Sequence, residues 1–239
     1  MTTTAAVARC APAEAGAGVA DPRLHIRWLG RVEYRDALAV QHGLFANSTG
    51  NHLLLLEHPH VFTIGRNARR NDVLADPAWL EAHGVTVAQS SRGGQVTYHG
   101  PGQLVGYAIV NLDPDRRDVR RYVQDLQRVL VLTLADFGVA ASGREQPEIG
   151  VWAGDSKVAS IGVHIRRWVT MHGFALNVTT DLEFFRGIVA CGLRQVEMGS
   201  VESLTGARPG LEEVARRAAA HFAAVFDLPL DGALVRADA

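Results

Sequence analysis

RGGQVTYHGPGQLVGY, residues 92–107, sets five glycines and a proline among Arg92, Gln95, Thr97, Tyr98 and His99, with apolar runs on both sides. Glycine lets backbone pass close to a ligand or adopt positive φ, and its amide can donate to an anion or a carbonyl oxygen. Two readings fit: a hairpin with elaborate turn chemistry, or a loop that faces a ligand. The polar residues between the glycines favour the second. No Gly-Lys-Ser/Thr follows, which argues against a phosphate loop of the Walker type.

Upstream of this stretch, Leu24, Ile26 and Trp28 alternate and predict a strand, and residues 32–46 read as an amphipathic helix. His52–Leu56 and Val61–Ile64, split by Pro59, have the length of buried strands. Asp76 followed by Pro77 predicts a short helix over Pro77–His83, with an N-cap and a proline at its first position. Val85–Ala88 and Leu104–Leu112 are further strands. Downstream, Asp118 opens the strongest helix. Val119, Tyr122, Val123, Leu126, Val129, Leu130 and Phe137 keep the helical period, and Gly138 ends it. Strands follow at Ile149–Trp152, Lys157–Ile165 and Trp168–Val178, the last two as a hairpin across Arg166 and Arg167. A C-terminal helix buries Leu211, Val214, Ala218, Phe222 and Val225, and exposes Glu212/Arg216 and Glu213/Arg217 at i,i+4 spacing. There is no internal repeat. Strands and helices interleave without regular βαβ units, so the expected class is α+β, with a mixed central sheet and flanking helices.

The 239-residue chain is 47% hydrophobic and 21% charged, an ordinary globular balance. Net charge of −1 supplies no field for nucleic acid. Residues 1–22, biased to Ala, Gly and Pro, read as a flexible tail, which leaves 23–239 as a single domain. No apolar run approaches the roughly 20 residues that span a bilayer, and the start lacks the apolar centre of a secretory signal. Two cysteines, Cys10 and Cys191, make no disulfide framework, so a reduced, cytoplasmic setting is expected. Nothing encodes an oligomer; a monomer is the default.

Cys191 lies in ACGLRQ, just past a short helix that Thr180 and Glu183 would open as a capping box. A lone cysteine is ordinarily a small buried apolar residue. Here it is flanked by glycines, and the chain has a single lysine, Lys157, every other Lys/Arg position being arginine. One lysine among arginines suggests a site that needs a compact amine able to release its proton. A nearby cation would raise the thiolate fraction of a thiol whose pKa is otherwise about 8.5. Among ten histidines, His58 and His60 form the closest pair, but no HExxH or CxxC spacing accompanies them and no metal site is expected. His172 reads as a satisfied strand histidine that could alternatively face the site. Arg116, Arg117, Arg120 and Arg121, and a second group at Arg66, Arg69 and Arg70, read as solvated faces or as docks for acidic proteins.

RGGQVTYHGPGQ, KVASIG, HGFALNV and ACGLR, in that order, together resemble the lipoyl(octanoyl) transferases, the lipoate-protein-ligase B proteins, from about Leu24 to Leu228. The resemblance implies the α+β fold of the biotin/lipoate protein-ligase catalytic superfamily. It implies transfer of octanoate from octanoyl acyl carrier protein to the lysine of lipoyl domains, those of 2-oxoacid dehydrogenase E2 subunits and of the glycine cleavage H protein. No cofactor is implied, because the donor is already a thioester. By the same resemblance Cys191 is the thioester-bearing nucleophile and Lys157 lowers its pKa. The acyl pocket would be lined by Arg92, Gly93, Gly94, Gln95, Val96, Thr97, Tyr98 and His99, by Ser160, Ile161 and Gly162, and by Gly173, Phe174 and Ala175. Lys157 or His99 would take the proton released by the target lysine. Two positions depart from the family pattern: Ala190 stands where proline is usual, and Phe174 where leucine is commoner. Neither removes a reacting group. Competing readings are an ATP-dependent lipoate or biotin ligase, which needs no thiol, and a non-catalytic module that binds lipoyl domains or acyl chains. Cys191 together with Lys157 favours the transferase.

Overall fold

The computed structural model describes residues 21–47, 50–189, 196–232 and 234–236. Strand β1 (Asp21–Arg31) takes in Asp21 and Pro22, which composition alone assigns to the tail. It leads into α1 (Tyr34–Asn47), β2 (Gly50–Glu57) and β3 (Val61–Ile64). The short α2 (Pro77–Ala82) has the expected cap, the Asp76 carboxylate accepting from Trp79 N at 2.8 Å. Next come β4 (Thr86–Gln89), β5 (Val96–His99), β6 (Gln103–Ile109) and α3 (Val119–Asp136). β7 (Ser142–Arg144), β8 (Gly150–Ala153), β9 (Ser156–Arg166) and β10 (Val169–Asn177) follow, and the chain closes through β11 (Glu197–Met198), α4 (Val201–Thr205), α5 (Leu211–Phe226) and β12 (Val235–Arg236).

The large sheet runs β12-β1-β2-β6-β10-β9-β8-β7, with β11 beside β9. β1 and β2 are parallel, whereas β2, β6, β10, β9, β8 and β7 pair antiparallel in succession. The sheet is therefore mixed and the fold α+β. Both its faces are buried, which is why Leu53–Leu56 reads as an unbroken apolar run rather than an alternation. Leu53 and Leu55 join Leu104, Ala108 and Leu176 under α3 and α5; Leu54 and Leu56 join Val105, Tyr107 and Ala37 under α1. A second sheet, β4-β3-β5, carries its own apolar cluster of Phe62, Val96, Tyr98, Phe185 and Ile188. β5 lies inside the glycine-rich stretch whose polar residues favour a ligand-facing loop. Only four residues long, it carries no periodic signal, yet all four of its side chains are buried.

The β9–β10 hairpin turns at Arg167 and Trp168, one residue later than expected. Both have left-handed φ, 51° and 62°, as a two-residue turn with the strand's own twist requires. Neither is a glycine. Trp168 is held there by packing on the α3/α5 core and by its carbonyl, which accepts from Leu112 N at 2.8 Å. The arginines that open α3 are matched to carboxylates: Arg116 to Asp125 at 3.0 Å, Arg117 to Asp113 at 2.5 Å, Arg120 to Glu145 at 3.9 Å and Arg121 to Asp125 at 4.0 Å. That favours the solvated-face reading of this cluster over a dock.

α3 is the main prop of the sheet, with Leu126, Val129, Leu130 and Leu134 fully buried. Leu130→Ala is expected to cost about 2–5 kcal/mol of unfolding free energy in urea titration, since it removes transfer energy and leaves a cavity. Arg120→Ala, on the exposed side of the same helix, is expected to change stability by less than about 0.5 kcal/mol.

Candidate active site

The loop before β5 is tied to both sheets through its backbone. Gly65 N donates to Gln95 O at 3.1 Å, Arg66 N to Arg92 O at 3.0 Å and Asn67 N to Gly94 O at 3.0 Å, while Gly93 N donates to Val163 O on β9 at 2.9 Å. The approach leaves no room for a side chain at Gly65, whose Cβ would lie 2.4 Å from Gly94 O. Between this loop and the β9–β10 strands lies a cavity of about 470 Å³. That is ordinary for a small-molecule site.

Every lining residue nominated from the sequence borders this cavity except Tyr98. Tyr98 points to the other side of its strand. Its hydroxyl pairs with His60 Nδ1 at 2.9 Å, and its ring stacks on Phe184. Alternation along β5 explains the split, since Thr97 and His99 face the cavity while Tyr98 joins Val96 in the apolar cluster of the small sheet; Val96, at the start of the strand, also borders the cavity. Tyr34, Tyr107, Val123, Pro147 and Ile149 complete the wall without having been nominated. They come from α1, β6, α3 and the loop before β8, and no local motif marks them; only the sheet pairing brings them together.

Lys157 is 1% exposed, and its Nζ donates to Ile149 O at 2.8 Å. A β-bulge directs it. Val151 pairs with Ala159 and Trp152 with Lys157, so one step on β8 matches two on β9 and Val158 is the extra residue. Val158 and Ala159 both enter the α3/α5 core, whereas Lys157 turns to the opposite face, with Nζ 5.6 Å from the centre of the Trp152 ring. Simple alternation would have sent it into the apolar core beside Ala159. Ile149, whose carbonyl Lys157 holds, is itself part of the cavity wall.

A buried chain of hydrogen bonds runs from the cavity to the backbone beside Lys157. Arg92 Nη2 donates to Thr63 Oγ1 at 2.8 Å, and Thr63 Oγ1 faces His99 Nε2 at 3.4 Å. His99 Nδ1 meets Gln103 Oε1 at 2.8 Å, Gln103 Nε2 donates to Asn177 Oδ1 at 2.9 Å, and Asn177 Nδ2 donates to Gly199 O at 2.9 Å. Gly199 N in turn donates to Lys157 O at 3.0 Å. The Gly199 carbonyl can only accept, which orients the Asn177 amide, then the Gln103 amide, and leaves His99 carrying its proton on Nδ1. Burial, then the charges of His58 and Arg92, hold the His99 pKa well below its usual value. This neutral imidazole has both ring nitrogens engaged, which makes it a poor proton acceptor.

His58 spends both ring nitrogens, on Val32 O at 2.6 Å and Tyr107 Oη at 2.7 Å, and burial lowers its pKa to about 4. His172 borders the cavity too, so it is not simply a strand residue. Burial, with Arg92 nearby, lowers its pKa to about 3. Among the described residues no cluster of three metal-ligating side chains occurs.

Cys191 and its neighbours 190–195 lie outside the described residues, as does Cys10. The 3₁₀ turn before them, Leu182–Gly187, is capped by Asp181, whose side chain accepts from Glu183 N at 3.0 Å. The expected Thr180–Glu183 box does not form, because Thr180 Oγ1 donates instead to Gly102 O at 3.0 Å. Val189 N donates to Asp72 O at 2.7 Å just before Cys191, and β11 pairs with Ser156 and Lys157 just after it.

Three histidines held neutral by burial couple stability to pH. An unfolded histidine titrates at about 6.5, above all three native values, so below that pH the unfolded chain binds more protons. Their contribution is complete above about pH 6.5 and is lost as pH falls towards about 4. Urea unfolding at pH 7.5 and pH 5.0 should differ by about 1–2 kcal/mol for each histidine. Equal stabilities would mean that the imidazoles titrate in the native protein as they do in the unfolded chain.

An octanoyltransferase of Solibacter usitatus (strain Ellin6076) is 49% identical over 209 residues, covering 86% of this chain and 94% of that one. One from Geobacter metallireducens (strain ATCC 53774 / DSM 7210 / GS-15) is 46% identical over 206 residues, covering 84% and 93%. Among solved structures, lipoate-protein ligase A bound with ATP is similar with a TM-score of 0.73 at 17% identity, over 90% of this chain and 89% of that one. A putative lipoate protein ligase from T. acidophilum with bound lipoic acid has a TM-score of 0.73 at 17% identity, over 90% of each chain. At such identities the structural likeness speaks for the fold alone. Residues 33–223 match the lipoyl protein ligase A/B catalytic domain. With that match, and with octanoyltransferases nearly half identical along most of its length, the chain belongs to the lipoyl protein ligase A/B catalytic-domain family, among the octanoyltransferases.

Proposed function

We propose that the chain moves an octanoyl group from octanoyl acyl carrier protein to the lysine of a lipoyl domain, through a thioester on Cys191. One observation carries the reading: a cavity floored by Ser160, Gly162, Gly173 and Ala175 adjoins Ile149, the residue that holds the chain's only lysine by its carbonyl. Small side chains leave a slot for a slender apolar chain, each buried methylene contributing about 0.8 kcal/mol.

In the first half-reaction the Cys191 thiolate attacks the donor carbonyl. A carbon–sulfur bond to Cys191 forms, and the tetrahedral oxyanion collapses as the carbon–sulfur bond to the pantetheine arm breaks. Lys157 gives its proton to the departing thiolate. In the second, a neutral target lysine attacks the acyl-enzyme, a carbon–nitrogen bond forms and the bond to Cys191 breaks. The proton lost by the attacking amine returns to Lys157, so no proton is gained or lost over the cycle. Conversion of a thioester to an amide is downhill and gives the sequence its direction, so ATP has no part in it.

Incubation with octanoyl carrier protein alone should add one octanoyl group to the protein by intact mass, and a lipoyl domain should then discharge it without ATP. Cys191→Ser should abolish both steps while Cys10→Ser leaves them unaltered, and Lys157→Met should slow acylation and raise the pH at which Cys191 is alkylated. Equal transfer by the two cysteine variants, or strict dependence on ATP, would sink the proposal.

A further inference from the structure

His172 lies in the middle of β10 with φ 60°, a left-handed conformation uncommon for a residue with a side chain and maintained only where the surroundings impose it. Three separate elements impose it here. Gln41 of α1 accepts from His172 N at 2.9 Å, Ser91 of the glycine-rich loop pairs with its Nε2 at 3.0 Å, and Tyr107 of β6 meets the ring edge-on at 6.1 Å. The next position admits no side chain, because a Cβ at Gly173 would stand 2.3 Å from Gly106 O. Regular alternation would put His172 on the face of Phe174, which packs under α3 and α5. The left-handed backbone instead delivers the imidazole to Ser91 and Tyr107, on the α1 side, as part of the cavity wall.

Its position along the strands gives this wall a meaning. Ser160 pairs with Ala175 towards the Lys157 end, and Val163 pairs with His172. Three residues of strand at ~3.3 Å each separate the two pairs by about 10 Å, close to the length of an extended eight-carbon chain. Between them the floor is Gly162 and Gly173.

Resting on the acyl-transfer reading, we propose that His172 is the end wall of the acyl slot and sets the length of chain the enzyme transfers. The chain enters beside Lys157, lies along the glycine floor, and meets the imidazole at its methyl end. Gln41 and Ser91 act through His172: they fix the wall in place, so that a longer chain cannot simply push the ring aside.

The test is a competition among octanoyl, decanoyl and dodecanoyl carrier thioesters. Wild-type acylation should drop sharply between eight and ten carbons. His172→Gly removes the ring at a backbone geometry that glycine adopts without strain, so the fold is retained. Its decanoyl-to-octanoyl ratio of kcat/KM should rise roughly fifteenfold, because two further methylenes are buried at about fourfold in affinity each. His172→Asn, shorter and tolerant of positive φ, should shift the ratio part of the way. A wild-type enzyme indifferent to chain length, or variants whose ratio equals the wild type's, would overturn the end wall. If wild type transfers no octanoyl group at all, the functional reading has failed and not this inference.

Discussion

The structure depends on one buried polar thread, the hydrogen-bond chain from Arg92 through Thr63, His99, Gln103 and Asn177 to Gly199. Its members come from both sheets. Thr63 and His99 sit on the small one, Gln103 and Asn177 on the large one, and Gly199 closes on the backbone of Lys157. Apolar packing alone is tolerant of small slides between layers, whereas a buried donor left without its acceptor costs about 1–3 kcal/mol. The thread therefore fixes how the two sheets meet, and the cavity between them inherits that register. It also explains how Arg92, His99 and Gln103 can be buried in the glycine-rich block: each bonds another member of the thread.

Seen this way, the glycines and the polar residues of 92–107 divide the labour. The glycines bring backbones within hydrogen-bonding distance of one another and leave the slot open; the side chains between them set the distance between the walls. Electrostatics follow the same logic. Burial keeps His58, His99 and His172 neutral, so the slot presents no charged imidazole to an acyl chain even though histidine and tyrosine are prominent in its wall. Among the described residues of that wall the cation is Arg92, turned onto Thr63 O at 2.6 Å and onto Gly93 O at 3.2 Å.

Much of this was legible in the sequence. The long helix from Asp118, the buried run Leu53–Leu56, the Asp76 cap and the mixed α+β class all follow from periodicity and local chemistry, and the glycine-rich block pointed to the right wall of the cavity. What escaped was non-local. β5 was hidden because four residues carry no period. Tyr98 and His99 are neighbours in the chain, yet alternation sends them to opposite sides. The cap moved from Thr180 to Asp181 because Gly102, distant in sequence, claimed the threonine hydroxyl. Tyr34, Tyr107 and Ile149 reach the cavity only through pairings that no window of sequence contains. The left-handed His172 is likewise invisible to patterns, since its cause lies in Gln41 and Ser91.

The bulge at Val158 has a wider meaning for how such chains are recognised. The direction of the only ammonium group is decided by a count of backbone residues against β8, not by the identity of the residues around it. Two proteins could share KVASIG letter for letter and yet place the amine on opposite sides of the sheet, one bonded to the backbone of the cavity wall and the other lost in the apolar core. The motif is a necessary spelling, while the ladder beside it supplies the address.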